Sequence, residues 1–211
     1  RDLVRSRGLG DVYKRQEKIR GFIRKNEISE EKILGMGIAI PGIISFDRKE
    51  IISAETMPIS RDFCEKLQQY FSFPCHLFND ASCAGVAEFW KKNYTDQNIA
   101  YLLLSNTVGG SILVDGKPFA GMGNRSAEFG HITIVPDGEI CSCGKRGCAE
   151  AYCSALILSR FTDNNLADFF KEVNQGNEAY RKLVDQYLDN LAILVNAVSY
   201  THLTLPTILR V

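Results

Sequence analysis

Residues Glu128 to Glu150 read EFGHITIVPDGEICSCGKRGCAE and gather one imidazole, three thiols and two bracketing carboxylates into a single short stretch. His131, Cys141, Cys143 and Cys148 are a soft nitrogen and sulfur donor set, and zinc favours thiolates and imidazole in a tetrahedron. The C-x-C and C-x-x-x-x-C steps let one loop supply three corners. Gly144 and Gly147 fall inside that loop, where a chain wrapping a small ion needs backbone angles that glycine adopts cheaply. Four protein donors close the shell and leave no seat for an activated water, so the metal expected here is structural, not catalytic. Two alternatives stay open on the residues alone. Cysteines are often buried as small hydrophobes, although a polar, Gly-rich loop suits ligands better than core. A redox pair at Cys141 and Cys143 is the other, although C-x-C lacks the C-x-x-C spacing of thioredoxin-like sites.

A second stretch places a carboxylate where a reaction can use it. Residues 73–78, FPCHLF, read as a strand that delivers Asn79 and Asp80, and ASCAGVAEFWKK after them reads as a helix. A strand-to-helix junction at the carboxyl end of a strand is where α/β proteins place ligands. Asp80 suits two roles: a helix N-cap, for which Asp is among the best residues, or a chemical group. His76 lies within the strand and reads as a core or interface histidine. Residues 35–44, an apolar, β-branched run, read as a buried strand ended by Pro41-Gly42, and that pair serves either as a plain tight turn or as a close backbone approach to a ligand. Residues 106–110, with Thr107, Gly109 and Gly110, read either as a plain hairpin or as a turn whose backbone N–H groups cradle an anion.

The cysteine stretch resembles the signature of the ROK family of sugar kinases and sugar-responsive repressors, E-x-G-H followed by C-x-C-G-x-x-G-C-x-E. Glu128, Gly130, His131, Cys141, Cys143, Gly144, Gly147, Cys148 and Glu150 all match it. Residues 79–88, N-D-A-x-x-A-G-x-x-E, resemble the family's catalytic segment, and the weaker likeness runs from about Ile33 to about Val198. The resemblance implies an α/β, actin-like ATPase (ribonuclease H-like) fold whose two lobes close on a sugar and a nucleotide. It implies Asp80 as the general base of an ATP-dependent phosphorylation of a hexose or amino-sugar. It implies sugar contacts from Asn79, Asp80, Glu128, His131 and Glu150, with Gly42 beside the sugar. It further implies zinc on His131 and the three cysteines, ATP with Mg as the phosphoryl source near Thr107, Gly109 and Gly110, and a homo-oligomer when full length. The alternative within the family is the sugar-binding effector domain of a repressor, which would meet DNA only through an upstream helix-turn-helix; a zinc-stabilised binding module without catalysis is a third reading. Two departures stand out. Thr56 occupies the place of a family Asn, and Ser105 to Ser111 lacks two or three glycines of the family's G-T-G-x-G-x-G run.

Around these sites the elements are ordinary. Residues 17–25 read as the tail of an amphipathic helix, 61–70 as a helix, 98–104 and 108–114 as strands with a hairpin signal at Asp115-Gly116, and 132–135 as a strand. A helix is expected to begin at Glu150 and run to Ser159, with two more over 167–173 and 180–198. The 211-residue chain has formal net charge +0 and 45% hydrophobic residues, so nothing in the charge points to nucleic acid. The longest apolar run is too short and too broken to span a bilayer, and reduced cysteines with a zinc site fit a cytoplasmic protein. Residues 1–16 and 199–211 resemble translated adaptor read-through and are set aside from fold reasoning; without them the remainder is net acidic, so Arg1 to Arg15 is not read as a DNA-binding arm. The expected division is a partial N-terminal lobe over 17–97 and a partial C-terminal lobe over 98–198, joined by the polar residues 94–97. The family's D-x-G-G-T phosphate loop belongs before Glu17 and its Gly-Gly nucleotide strand after Val198, so the chain is expected to be a fragment, incomplete at both ends and inactive as a kinase.

Overall fold

A computed structural model describes residues 9–54, 57, 59–92, 97–201 and 207–210. It divides into two compact units, residues 1–83 with 122–124, and residues 84–121 with 125–211. The division falls after Cys83, earlier than the polar stretch expected to separate the lobes. Residues 94–96 of that stretch, like Asn93, Glu55, Thr56 and Pro58, lie outside the described residues.

The first unit is built on two strands that share one direction. After helix α1 (Leu9–Lys25) and a single 3-10 turn at Glu30–Lys32 come β1 (Met36–Ile40), β2 (Ile43–Ile44), β3 (Ile51–Ser53), α2 (Phe63–Gln68) and β4 (Cys75–Asn79). β1 and β4 pair in parallel from Met36↔Cys75 to Ile40↔Asn79, so the two strands end side by side. β2 and β3 form a short antiparallel pair. Residues 35–44 are therefore not one buried strand. Gly37 and Ala39 are exposed and only Ile40 of β1 is buried, because β1 covers one face against Phe63, Leu67, Phe73 and Leu77. The start of β4 is fixed by one amide: Gln68 Nε2 donates to the Phe71 and Phe73 carbonyls, and Gln68 Oε1 accepts from Cys75 N at 2.7 Å.

The second unit carries a four-stranded sheet of order β7-β6-β5-β8. β5 (Ile99–Leu104) pairs antiparallel with β6 (Val108–Val114), and β6 pairs with β7 (Lys117–Pro118) through the expected turn. Asp115 and Gly116 both have positive φ, 51° and 70°, as a type I′ turn between twisted strands requires. β8 (Thr207–Arg210) lies parallel to β5. Helices α4 (Glu150–Cys153), α5 (Ala155–Ser159), α6 (Leu166–Asn174) and α7 (Glu178–Thr201) complete the unit, with α3 (Asp80–Lys92) beginning in the first unit. Ala100, Leu102, Phe129, Cys153, Leu194 and Val198 share its core. Asn165 caps α6, its Oδ1 accepting from Ala167 N and Asp168 N.

Two expectations are corrected in this unit. Residues 132–135 form no strand; Thr133 makes only an isolated bridge to Cys148, since the chain there is bent to enclose the cysteine loop. The helix after Glu150 breaks at Ser154, which is extended at φ −77°, ψ 152°, and Ala155 N turns away to bond Ser105 O at 2.7 Å. Parts of both end segments also lie in regular elements, residues 9–16 in α1 and 207–210 in β8. Val12 and Gln16 are buried in the first unit, although Gln16 Oε1 and Arg15 Nε find no hydrogen-bond partner among the described residues. Among the described residues no helix is long and apolar enough to cross a membrane.

Candidate functional site

The four ligand atoms of His131, Cys141, Cys143 and Cys148 all lie within 4.8 Å of one another. Two of the separations match the edges of a tetrahedral site. Bonds of about 2.3 Å to sulfur and 2.0 Å to nitrogen imply tetrahedral edges of roughly 3.8 Å between sulfurs and roughly 3.5 Å between sulfur and nitrogen. Cys143 Sγ and Cys148 Sγ stand 3.7 Å apart, and Cys141 Sγ stands 3.6 Å from His131 Nδ1. The cysteines are too far apart for a disulfide, and all seven are free.

Local backbone chemistry builds this group. Cys141 N bonds Lys145 O at 2.8 Å and Gly144 N bonds Cys141 O at 2.9 Å, closing a knuckle around the C-x-C step. Gly147 takes φ 76°, and a methyl there would overlap Val135 O, which must come close because Ile134 N and Val135 N both bond Gly147 O. A single 3-10 turn, Phe129–His131, presents the imidazole, and Lys145 Nζ reaches back to His131 O at 2.9 Å. Burial and the neighbouring Cys143 and Cys141 thiols push the Cys148 thiol up to about 12. On Cys143 burial works upward too, but the Lys145 backbone N–H and the Cys141 and Cys148 thiols outweigh it and hold the thiol below its usual range. A cation among these sulfurs would favour the thiolate form, against the rise at Cys148 and in the same direction as the shift at Cys143.

The two carboxylates of the signature border the group. With Nδ1 turned to the sulfurs, His131 Nε2 faces Glu128 Oε2 at 4.0 Å. Glu150 opens α4 and accepts from Ser142 Oγ at 2.9 Å through Oε1 and from Val108 N at 3.4 Å through Oε2. Tyr152 OH accepts from Glu139 N at 2.6 Å and so pins the far side of the loop. Ser142, Lys145 and Tyr152 were not singled out in the sequence. Ser142 had a signal, lying between two ligands; the other two act through a fold that spacing does not reveal.

In the first unit, Asn79, Asp80 and Gly42 come together where β1 and β4 end. Asn79 caps α3: its Oδ1 accepts from Ser82 N at 2.8 Å, and its Nδ2 donates to Gly42 O at 3.2 Å. Capping therefore falls to Asn79 rather than to Asp80. Among the described residues, Asp80 Oδ1 accepts the adjacent Ala81 N–H, at 2.8 Å, and the side chain lies half-buried in the first turn, where the helix dipole favours negative charge. Gly42 is required by packing, since a methyl there would overlap Ser53 O.

The stretch read either as a hairpin or as an anion cradle does form a hairpin. The turn between β5 and β6 is Ser105 to Thr107, with Ser105 N bonded to Thr107 O at 2.9 Å. Gly109 and Gly110 are not in it. They stand in β6 opposite Leu103 and Leu102, and the Phe129 ring lies against Gly110 so closely that a methyl would overlap it. Gly110 thus answers to a ring packed on the sheet, and Thr107 alone of the three candidates occupies the turn.

Residues 14–204 match the family model described as ROK family. Glucokinase from Halalkalibacterium halodurans is 33% identical over 144 residues, 66% of this chain and 43% of that protein. Xylose repressor from Bacillus subtilis is 30% identical over 141 residues, 66% of this chain and 37% of that protein. The chain spans about half the length of the curated relatives it matches. The crystal structure of ROK hexokinase from Thermus thermophilus superposes with a TM-score of 0.76 at 23% identity, covering 97% of this chain and 70% of that one. That likeness shows the fold, which is the α/β, actin-like ATPase fold.

Proposed function

The chain belongs to the ROK family, and from that premise we propose that its full-length protein is an ATP-dependent kinase of a hexose or amino-sugar, acting in the cytoplasm. The observation that carries this reading is the division of labour at the β4–α3 junction. Asn79 does the capping, which leaves the Asp80 carboxylate for chemistry. As general base, Asp80 takes the proton of the sugar hydroxyl that attacks the phosphorus of ATP, a role typically worth about 10²–10⁴-fold in rate. Asn79, Glu128, His131 and Glu150 contact sugar hydroxyls, and Gly42, tied to Asn79, shapes the backbone beside them. Directional hydrogen bonds of this kind set specificity, because a donor or acceptor left unpaired is penalised.

Zinc is the ion that the donor set suits, held by His131 Nδ1, Cys141, Cys143 and Cys148. With four protein donors it supplies geometry and no activated water. His131, fixed through Nδ1, keeps Nε2–H for a partner, and a bound tautomer of this kind is set by what each ring nitrogen meets.

In the full-length protein, Asp80→Asn is expected to reduce phosphorylation by at least about 10²-fold while leaving sugar binding in place. Turnover that survives the change would remove Asp80 from the role of base. A second reading, the effector domain of a sugar-responsive repressor, draws on the β5–β6 hairpin, where Gly109 and Gly110 stand in β6 rather than in the turn and Gly110 packs under Phe129. An upstream helix-turn-helix in the full-length gene would favour it; a D-x-G-G-T strand there would favour the kinase.

A further inference from the structure

The Glu150 carboxylate is held at both oxygens by groups of different origin. Ser142, which donates to Oε1 at 2.9 Å, is the residue between the ligands Cys141 and Cys143, so its place is set by the loop that encloses the donor set. Val108, which donates its backbone N–H to Oε2 at 3.4 Å, is the first residue of β6 and closes the β5 ladder opposite Leu104. A carboxylate has about four lone-pair sites, so two accepted bonds leave two for a ligand hydroxyl. A glutamate side chain is otherwise rotamer-rich, and freedom lost before binding is freedom that binding need not remove.

We propose that Ser142 is a positioning residue that sets the orientation of Glu150, so that an ordered metal loop is felt by a polyhydroxyl ligand through one serine hydroxyl. The proposal rests on Glu150 being a sugar contact. The C-x-C step then does two jobs: its ends hold the ion, and its middle residue aims the carboxylate. Val108 extends the arrangement to the start of β6, because its amide is shielded only while Glu150 stays in place.

The test uses the chain as it stands, zinc-loaded, with three variants: S142A, S142T and E150Q. Three quantities are read: zinc content, Kd for D-glucose and N-acetyl-D-mannosamine by calorimetry, and hydrogen exchange of the Val108 amide by NMR. S142A is expected to keep its zinc, to weaken sugar binding about five- to tenfold, the effect of one hydrogen bond to a charged group at a partly exposed site, and to speed Val108 exchange. S142T, which restores the hydroxyl, is expected to recover both. In the E150Q background S142A should add no further loss. Zinc lost from S142A would overturn the proposal by making Ser142 a part of the metal loop only. Unchanged affinity and unchanged Val108 exchange would overturn it as well, as would full additivity with E150Q. If the wild-type chain binds neither sugar while S142A still speeds Val108 exchange, the sugar reading fails and the positioning of Glu150 stands.

Discussion

The two functional regions are stabilised in opposite ways. The β4–α3 junction is made of regular structure: a parallel strand pair in register, a helix, and one asparagine that caps the helix and ties the neighbouring turn. The cysteine loop has almost none. Between His131 and Glu150 the chain makes isolated bridges and turns, and its order comes from close backbone approaches and four converging ligand atoms. At the junction, many weak and redundant interactions place one carboxylate. In the loop, a few obligatory ones place everything, so the loop should be far more sensitive to single changes.

The sharpest way to break that contrast is Cys148→Ser. Cys148 is fully buried among the donors, and structural zinc binding is folding free energy for the segment that holds it. The variant is expected to lose its metal and on the order of 5 kcal/mol of stability in the second unit, read by metal content and calorimetry. A metal-loaded variant with wild-type Tm would end the comparison. Next comes a pair of glycines in one loop. Gly147→Ala places a methyl into Val135 O at φ 76°, whereas Gly144→Ala meets only its own φ of 84° with open space around it. The first should lose roughly 3 kcal/mol or more and the second roughly 1 kcal/mol in denaturant titrations; equal losses would show that contact plays no part. On the other side of the comparison, Asn79→Ala removes the cap of α3 and the tie to Gly42, for an expected loss of about 1–2 kcal/mol, and Asn79→Asp should recover most of the capping share.

The smallest effect belongs to the core thiols outside the loop. Burial pushes the Cys153 thiol up to about 12 and the Cys75 thiol up to about 11. A raised thiol pKa means that the folded state favours the protonated form. The contribution is therefore fully present below the ordinary value near 9 and is lost as pH rises toward 11 and 12. Each group should remove roughly 1 kcal/mol of stability between pH 9 and 10, and Cys153→Ala should flatten the curve there.

How legible each region was in the sequence follows the same contrast. The donor set could be read directly, because ligand types and short spacings are local properties. The hairpin at Asp115-Gly116 and helices α6 and α7 could be read for the same reason. The strand expected at 132–135 could not be told from a bent segment, since Ile132 and Ile134 carry the right residue types and only the bridge to Cys148 decides their shape. Asn79 and Asp80 both qualify as caps, and which one serves depends on the Gly42 carbonyl, distant in the chain. Gly109-Gly110 was the most ambiguous pair: the reason for Gly110 lies in Phe129, nineteen positions beyond it and visible only when the ring is seen against the sheet.

That ring also limits how the signature can drift. Phe129 sits at the unspecified position of E-x-G-H, yet the space it fills is the space that any side chain at 110 would need. The two sites can therefore change only as a couple, a bulkier residue in the strand matched by a slimmer one beside the histidine. A library randomised at both should return paired solutions, and the motif's free letter would prove to be spoken for by the sheet beneath it.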